Sequence, residues 1–492
     1  LIVPADPAKP TTTASHVAAH AATTPHAIAV VDGEQSWTFA ELSGEIDQLS
    51  QQLRKFSLNS RATVAVEWDD PYTHWAILLA LESLGLTSAT FTKPEVSQSQ
   101  AIFDQADLVL SMPGSPPPPA KQVHVISPTW LKGGENQTAS EGVANLVQEA
   151  GYPVRIIQGT GTTGSPKTML ITARAQEYRI LQNLKRMNIG AETRYLLEMA
   201  FNVAVEFYIA TACLRAGGTC IWDRSRRVPD AITHHGATHA ALFVGSLAQN
   251  IRHLPTSFTK PAGFTIRSFG GPLIAELRTK TLARLADTVI ESYGTNEVPA
   301  VADMAPDGTG DILSDVSVEI IDEDDNPVIG VAGTIRIQSP YMVTQYLNDP
   351  SASQERFRDG WFYPGDYGVM PEPGKLQVLG RTDDLLNIHG IKLHPANLEA
   401  QVAEIDDVAE AAITSLTQTD GGSHVCVCLV LEPDRKPADV IEAVSAALPP
   451  IISEASVIQV TLIPKTKNGK IQRRKLDELL LEAILSQADD AP

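Results

Sequence analysis

Val154-Arg155-Ile156-Ile157 runs without a break into Gln158-Gly159-Thr160-Gly161-Thr162-Thr163-Gly164-Ser165-Pro166-Lys167. The first four residues read as a buried strand. The three glycines that follow let the backbone fold closely and turn N–H groups towards phosphate oxygens. Thr160, Thr162 and Thr163 add hydroxyl donors, and Lys167 adds a positive charge. A flexible polar surface loop would not require glycines, hydroxyls and a lysine to coincide just after an apolar strand. A Walker A loop needs Gly-Lys-Ser/Thr in succession after its last glycine. Ser165-Pro166 intervenes here, so a P-loop kinase or NTPase is disfavoured.

Working outward, the chain alternates short apolar runs with helical patterns. Ile28–Val31, the turn Asp32-Gly33 and 35–38 read as a hairpin. Thr38 and Glu41 have capping-box spacing before a helix whose apolar stripe is Leu42, Ile46, Leu49 and Leu53. Strand 63–66, a helix from about Tyr72 to Leu84, and strand 108–110 extend the alternation, which implies a parallel sheet covered by helices. Residues 111–120, with four consecutive prolines, and 132–142 read as surface connections. A second α/β stretch runs from Val154 to about Val301. A β-rich stretch follows (316–321, 334–338 and 376–379). After Arg381 the pattern changes to helix 395–405, strand 409–415, strand 425–431, helix 437–447 and strand 457–463. The fold class is therefore α/β: a large N-terminal domain over 1–382, with α/β subdomains and a β-rich subdomain, and a small α+β domain over 383–492.

At 492 residues with 43% hydrophobic content, the chain is long enough for two or more cored domains. Its 38 basic against 58 acidic residues argue against a nucleic-acid or anionic-membrane surface and favour a small molecule or a protein as partner. No apolar run approaches the ~20 residues that span a bilayer, and no secretory leader opens the sequence. A cytoplasmic location is the expectation, with the true N-terminus lying upstream of Leu1. Cys213, Cys220, Cys426 and Cys428 lack metal-ligand spacing and read as buried small hydrophobes. His234, His235 and His239 are placed on one helix as structural or surface residues.

Five further segments follow the glycine-rich run: Ser268-Phe269-Gly270-Gly271-Pro272-Leu273, Tyr293-Gly294-Thr295-Asn296-Glu297, Tyr363-Pro364-Gly365-Asp366, Gly380-Arg381-Thr382-Asp383-Asp384 and Pro464-Lys465-Thr466-Lys467-Asn468-Gly469-Lys470. In composition and order the six resemble the motifs of the adenylate-forming superfamily, which comprises acyl- and aryl-CoA synthetases, peptide-synthetase adenylation domains and luciferases. The look is nearest to aryl acid:CoA ligases and free-standing aryl acid adenylation enzymes. The resemblance spans nearly the whole chain. It implies ATP-dependent activation of a carboxylic acid as an acyl-adenylate with release of pyrophosphate, then transfer to a thiol, either coenzyme A or carrier-protein pantetheine.

Two anions meet in such a reaction, so the site must neutralise charge and align atoms. By resemblance, Thr160, Gly161, Thr162, Thr163, Gly164, Lys167 and Asn296 hold the phosphates, Glu297 contributes to Mg²⁺ binding, and Lys470 reaches the carboxylate and α-phosphate. Asp366 and Arg381 are placed at the ribose. Gly270, Gly271 and Tyr293 frame the adenine. Asp383 is the hinge between domains, and Gly390 lines the thiol tunnel. Two departures stand out: Asn296 occupies a position where Thr is usual, and Pro364 replaces the Thr that usually precedes Gly-Asp. Outside the resemblance, Lys470 would be one cation in a basic run, Asp366 a turn aspartate and Tyr293 a core residue.

Phe201-Asn202-Val203-Ala204-Val205-Glu206 aligns with the family's acid-pocket helix. Amino-acid-activating members carry Asp at the position of Asn202, so an α-amino acid is disfavoured and an aryl acid of hydroxy- or aminobenzoate type is favoured. Glu206 is read either as a contact to a ring substituent or as a helix-surface glutamate, the commoner case. Val244 and Gly245 line the same pocket, whose width the sequence leaves open. A fatty or other non-aryl acid ligase and an inactive nucleotide-binding homologue remain the alternatives. No carrier-like Asp-Ser-Leu follows Lys470, so any carrier is expected to be a separate protein.

Overall fold

The computed structural model describes residues 6–93, 99–115, 118–127, 130, 149–159, 166–382, 386–388, 391–393, 395–417, 423–449, 452, 455–465, 471–473 and 475–481. The surface connection expected over 132–142 lies outside them.

The capping box forms as the sequence implies. Thr38 Oγ1 accepts from the Glu41 N–H, while the Glu41 carboxylate accepts from the Thr38 N–H at 2.8 Å. Leu42, Ile46, Leu49 and Leu53 of the resulting helix, Phe39–Arg54, are all buried. The hairpin Ile28–Asp32/Gln35–Thr38 is also present, with its turn one residue later than expected: Asp32 pairs with Gln35, so Gly33-Glu34 make the corner. A helix that the periodicity did not reveal, Thr13–Thr23, packs against this unit.

Two large sheets follow. The first has the order Val123–Val125, Leu108–Ser111, Thr63–Trp68, Thr87–Thr92, Pro153–Gly159, Lys167–Thr172. Its pairs are parallel except the last, where Gly159 pairs antiparallel with Lys167. The glycine-rich run therefore joins two strands of a hairpin. A Walker A loop opens a helix, so this topology adds a second reason against that reading.

The second sheet has a parallel centre made of Ile28–Asp32, Thr219–Trp222, Arg194–Leu197, His239–Phe243, Thr265–Phe269 and Thr288–Tyr293. It continues into the β-rich stretch without a break, because Tyr293 pairs antiparallel with Ala302. Beyond that junction lie Thr309–Ile312, Lys375–Arg381, Asp366–Val369, Gly333–Gln338 and Ser317–Ile321. The β-rich subdomain is thus an antiparallel extension of a parallel sheet. The placement of three histidines on one helix is corrected in part. Gly236, at φ +60°, ends the helix Val228–His235 in a left-handed conformation that L side chains avoid, and His239 then opens a strand.

Towards the C-terminus, helix Pro395–Ala403, strands Val408–Thr417, Ser423–Leu431 and Ser456–Gln459, and helix Pro437–Ala447 form the small α+β unit. Alternation along Ser423–Leu431 sends Val425, Val427 and Leu429 into one core cluster. Cys426 and Cys428 go into another, with Leu416, Ile463 and Leu476. Burial pushes the Cys426 thiol up to about 11 and Cys428 to about 12, and all four cysteines are free and buried. A thiolate is the reactive form of cysteine. Native protein mixed with dithionitrobenzoate is expected to label none of its four thiols on the timescale that labels all four in guanidinium; fast native labelling at Cys426 or Cys428 would contradict this packing.

Candidate active site

The junction between the parallel and antiparallel parts of the second sheet brings three of the sequence-singled residues together. Tyr293 ends the last parallel strand, and its phenol donates to Asp366 Oδ2 at 2.5 Å. Asp366 and Arg381 are direct cross-strand partners, and Arg381 Nη1 donates to Asp366 Oδ1 at 2.9 Å. Burial and the Asp366 carboxylate hold the Tyr293 phenol's pKa well above its ordinary value, so it stays a donor. Arg381 Nη1 also donates to the Pro364 carbonyl at 2.6 Å. Pro364 therefore keeps the one backbone group this contact uses, which explains why proline is tolerated there. Gly365 has φ +77°, and a Cβ on it would run into the Arg356 guanidinium. The backbone conformation favours glycine, and a side chain there would also have to displace the arginine ends. Gly270 and Gly271 sit exposed after the strand Thr265–Phe269, and a Cβ at Gly271 would meet no atom within 4 Å, leaving open room above the sheet.

The residues expected at the phosphates and the metal come from both sheets, Lys167 from the first and Asn296 and Glu297 from the end of the second. Lys167 opens its strand and pairs with Asp349 at 2.5 Å; both side chains are about a third exposed. An exposed pair of this kind contributes about 0–1 kcal/mol, so an incoming phosphate can compete for the lysine. Asn296 reaches the glycine-rich loop: its side-chain amide nitrogen lies 3.5 Å from where a Cβ on Gly159 would stand. Glu297 Oε1 accepts from the Tyr346 hydroxyl at 2.7 Å, and the Glu297 backbone carbonyl accepts from the Val343 N–H at 3.1 Å. Among the described residues no group of three or more His, Cys, Asp or Glu could hold a metal ion. Mg²⁺ suits such a place, since it takes one or two carboxylates and fills its remaining positions with phosphate oxygens and water.

The acid-pocket residues divide. Phe201 is fully buried, its ring 5.1 to 5.4 Å from those of Trp68, Trp75, Phe207 and Trp222. It anchors the segment. Asn202, half-buried, directly precedes the N-cap Val203 of the helix Ala204–Arg215. Glu206 lies in the first turn of that helix with no exposure at all, which overturns the surface-glutamate alternative. Its Oε1 accepts from the Glu198 N–H at 3.2 Å, while Oε2 makes no well-aligned hydrogen bond. The equally buried Tyr195 phenol lies beside it, within hydrogen-bonding reach. Burial, reinforced by the Glu198 carboxylate, raises the Glu206 pKa well above the ordinary carboxylate range. Val244 and Gly245 begin the helix Val244–Arg252, next to the Phe243 and Phe269 rings, 4.5 Å apart. A cavity of about 190 Å³ is lined by Trp68, Glu198, Met199, Trp222 and Arg224, and none of Phe201, Asn202, Glu206, Val244 and Gly245 is among its lining residues. Crowding by protein and the Asp223 carboxylate raise Glu198 to about 7.

Thr160, Gly161, Thr162, Thr163, Gly164, Asp383, Gly390 and Lys470 lie outside the described residues. The sequence reading missed the groups that brace the site. Arg155, buried in the strand before the loop, donates to the Phe201 carbonyl at 2.7 Å. Arg179, buried on helix Ala173–Arg186, donates to the Asn296 carbonyl at 2.8 Å. Tyr346 and Asp349 complete the set. The available signal was an arginine interrupting the apolar run Val154–Ile157.

The geometry agrees with what the chain resembles. The family model described as AMP-binding enzyme matches residues 17–347, and the AMP-binding enzyme C-terminal domain matches 397–470. Indoleacetate–CoA ligase of Aromatoleum aromaticum is 23% identical, covering 94% of this chain and 96% of that protein. The medium/long-chain-fatty-acid–[acyl-carrier-protein] ligase FadD10 of Mycobacterium tuberculosis is also 23% identical, covering 96% of each. Among solved structures, the anthranilate CoA ligase AuaEII in complex with anthranoyl-AMP has a TM-score of 0.83 at 17% identity, covering 96% of this chain and 98% of that one. The large N-terminal and small C-terminal units thus share the fold of adenylate-forming enzymes. The chain belongs to the AMP-binding enzyme family and is an AMP-forming ligase that activates a carboxylic acid as its acyl-adenylate and passes the acyl group to a thiol.

Proposed function

We propose that this ligase activates an aryl acid bearing a neutral hydrogen-bonding ring substituent, of the hydroxy- or aminobenzoate type. The observation that carries the reading is Glu206: a fully buried carboxyl with its pKa raised, in the first turn of the helix that Asn202 precedes. A protonated carboxyl both donates and accepts, and so suits a phenolic hydroxyl or an arylamine. An α-ammonium group would ask for a carboxylate, and Asn202 supplies an amide instead. An alkyl chain would offer the buried Glu206 carboxyl no polar group to meet, a mismatch of about 1–3 kcal/mol. The anthranoyl-AMP complex of the structural neighbour concerns an aminobenzoate, which supports this choice.

In the proposed reaction, residues 1–382 bind ATP and the acid, and 383–492 form a mobile domain that swings about Asp383 and carries Lys470. The ribose is held by Asp366 and Arg381, with Tyr293 and the open edge at Gly270-Gly271 beside the adenine. The phosphates are held by Thr160 to Gly164, Lys167 and Asn296. Glu297 would hold Mg²⁺, which would supply charge neutralisation for attack of the carboxylate on the α-phosphate. Lys470 stabilises the transition state at the same oxygens, and the match of the C-terminal family model ends on it. The thiol, coenzyme A or a separate carrier's phosphopantetheine, then enters past Gly390. The two relatives are named for one acceptor each. Acyl transfer from labelled acid to coenzyme A, run against candidate carriers, separates the two.

Three measurements test this reading. Pyrophosphate release across benzoates, cinnamates, fatty acids and amino acids should be fastest with hydroxy- or aminobenzoates, and Glu206→Leu should lower kcat/KM for those on the order of 100-fold while sparing benzoate. A response confined to amino acids would sink the aryl assignment. Lys470→Ala should abolish acid-dependent pyrophosphate release with ATP binding retained; full activity would refute its role. Gly365→Ala should displace Asp366 and Arg381 and raise the KM for ATP about 10-fold or more, whereas an unchanged KM would remove the ribose assignment.

A further inference from the structure

Arg179 is only 2% exposed, yet its guanidinium makes few bonds: Nη2 donates to the Asn296 carbonyl, and Nε has no partner. It stands 5.4 Å from the centre of the Tyr208 ring, and the Glu297 carboxylate is among the groups whose charge acts on it. Burying an incompletely bonded cation opposes folding by several kcal/mol before any compensation, and replacing such a charge with an apolar side chain is often neutral or stabilising. Stability alone therefore gives a poor account of an arginine here.

Its location gives a better one. Lys167–Thr172, the strand leaving the glycine-rich loop, is tied to helix Ala173–Arg186 by the Thr172 hydroxyl, which accepts from the Ala175 N–H. Arg179 lies on that helix, so its reach is fixed relative to the loop. Its bond to Asn296 fixes the turn in which the Thr295 hydroxyl accepts from the Val298 N–H. Asn296 and Glu297, assigned above to the phosphates and the metal, both lie in that turn.

We propose that Arg179 is a positioning residue for the metal turn: it clamps the Asn296 carbonyl so that Glu297 is presented to Mg²⁺ at a set distance from the phosphate loop. This rests on the assignment of Glu297 above. Nothing requires Arg179 to touch the nucleotide.

The test measures ATP binding without acid, by titration calorimetry over a Mg²⁺ series, in the full chain, Arg179→Met and Arg179→Lys, with Tm recorded for each. Loss of a group that orients a metal ligand weakens metal binding about 10- to 100-fold. The Met variant should accordingly raise the Mg²⁺ half-saturation about 10-fold or more while its Tm stays level or rises. The Lys variant, which keeps one donor and the charge, should recover part of that loss. A Met variant that folds with the half-saturation within twofold of the parent overturns the proposal. If Met fails to fold, Lys decides: it must raise the half-saturation with Tm unchanged, and parent-like Mg²⁺ dependence overturns the idea. A parent chain whose ATP binding ignores Mg²⁺ would sink the Glu297 assignment and this inference together; parent dependence with unaffected variants sinks only the inference.

Discussion

The proposed chemistry depends on holding a lysine of one sheet and a glutamate of another at a fixed separation. Lys167 starts a strand of the first sheet; Glu297 follows the last parallel strand of the second. Neither sheet's hydrogen bonding reaches the other, so the separation has to be set by something that touches both. Segment 343–349 does so. Val343 donates to the Glu297 carbonyl, Tyr346 to its carboxylate, the Leu347 N–H to the Thr168 carbonyl at 2.7 Å, and Asp349 takes the Lys167 ammonium. Four contacts within seven residues make a strap that is short and tied at both ends. On the opposite side, Arg179 makes a second connection from the loop's own helix.

That constraint explains which parts of the fold could be read from the sequence. Hydrophobic period and turn chemistry are local, so the capping box at Thr38, the stripe through Leu53, the strand before the glycine-rich run and the alternation at Val425 to Leu429 all appear where they were expected. The errors are also local in kind. A left-handed Gly236 splits three histidines between a helix and a strand, and the hairpin corner moves one residue to Gly33-Glu34. Less legible was anything that depends on partners distant in sequence. Continuity of the β-rich stretch with the parallel sheet rests on the pairing of Tyr293 with Ala302, which no periodicity encodes. Tyr346 and Asp349 have no motif of their own and act only because the strap brings them to Glu297 and Lys167.

For the site itself, motif order was enough to single out Tyr293, Asp366 and Arg381, and the structure brings these three side chains into contact. It was not enough for Glu206, because a glutamate in a helix is ordinarily solvated and its sequence neighbours are no guide to what lies opposite. The buried arginines were hidden for the same reason: the cost of desolvating a charge depends on three-dimensional surroundings. Arg155 and Arg179 occur in apolar or amphipathic stretches where a sequence reading expects a core residue or an exposed one.

The buried charges also bear on the substrate. Glu206, Tyr195 and Tyr208 all carry buried polar atoms without well-aligned partners, within or beside the helix that starts after Asn202. A folded protein tolerates few such groups, because each forfeits its hydrogen bonds to water. On the proposed function, some of this cost would be offset by a ligand that brings matching polar atoms. A purely apolar substrate would not supply them. Burial disfavours the charged form of Glu206, so on the proposed reading a hydroxyl or an uncharged arylamine suits it better than a cationic substituent does. If Glu206 meets the acid as proposed, the same burial that disfavours its charged form would disfavour charged ring substituents, and specificity at this position would follow from desolvation before any contact with the acid is made.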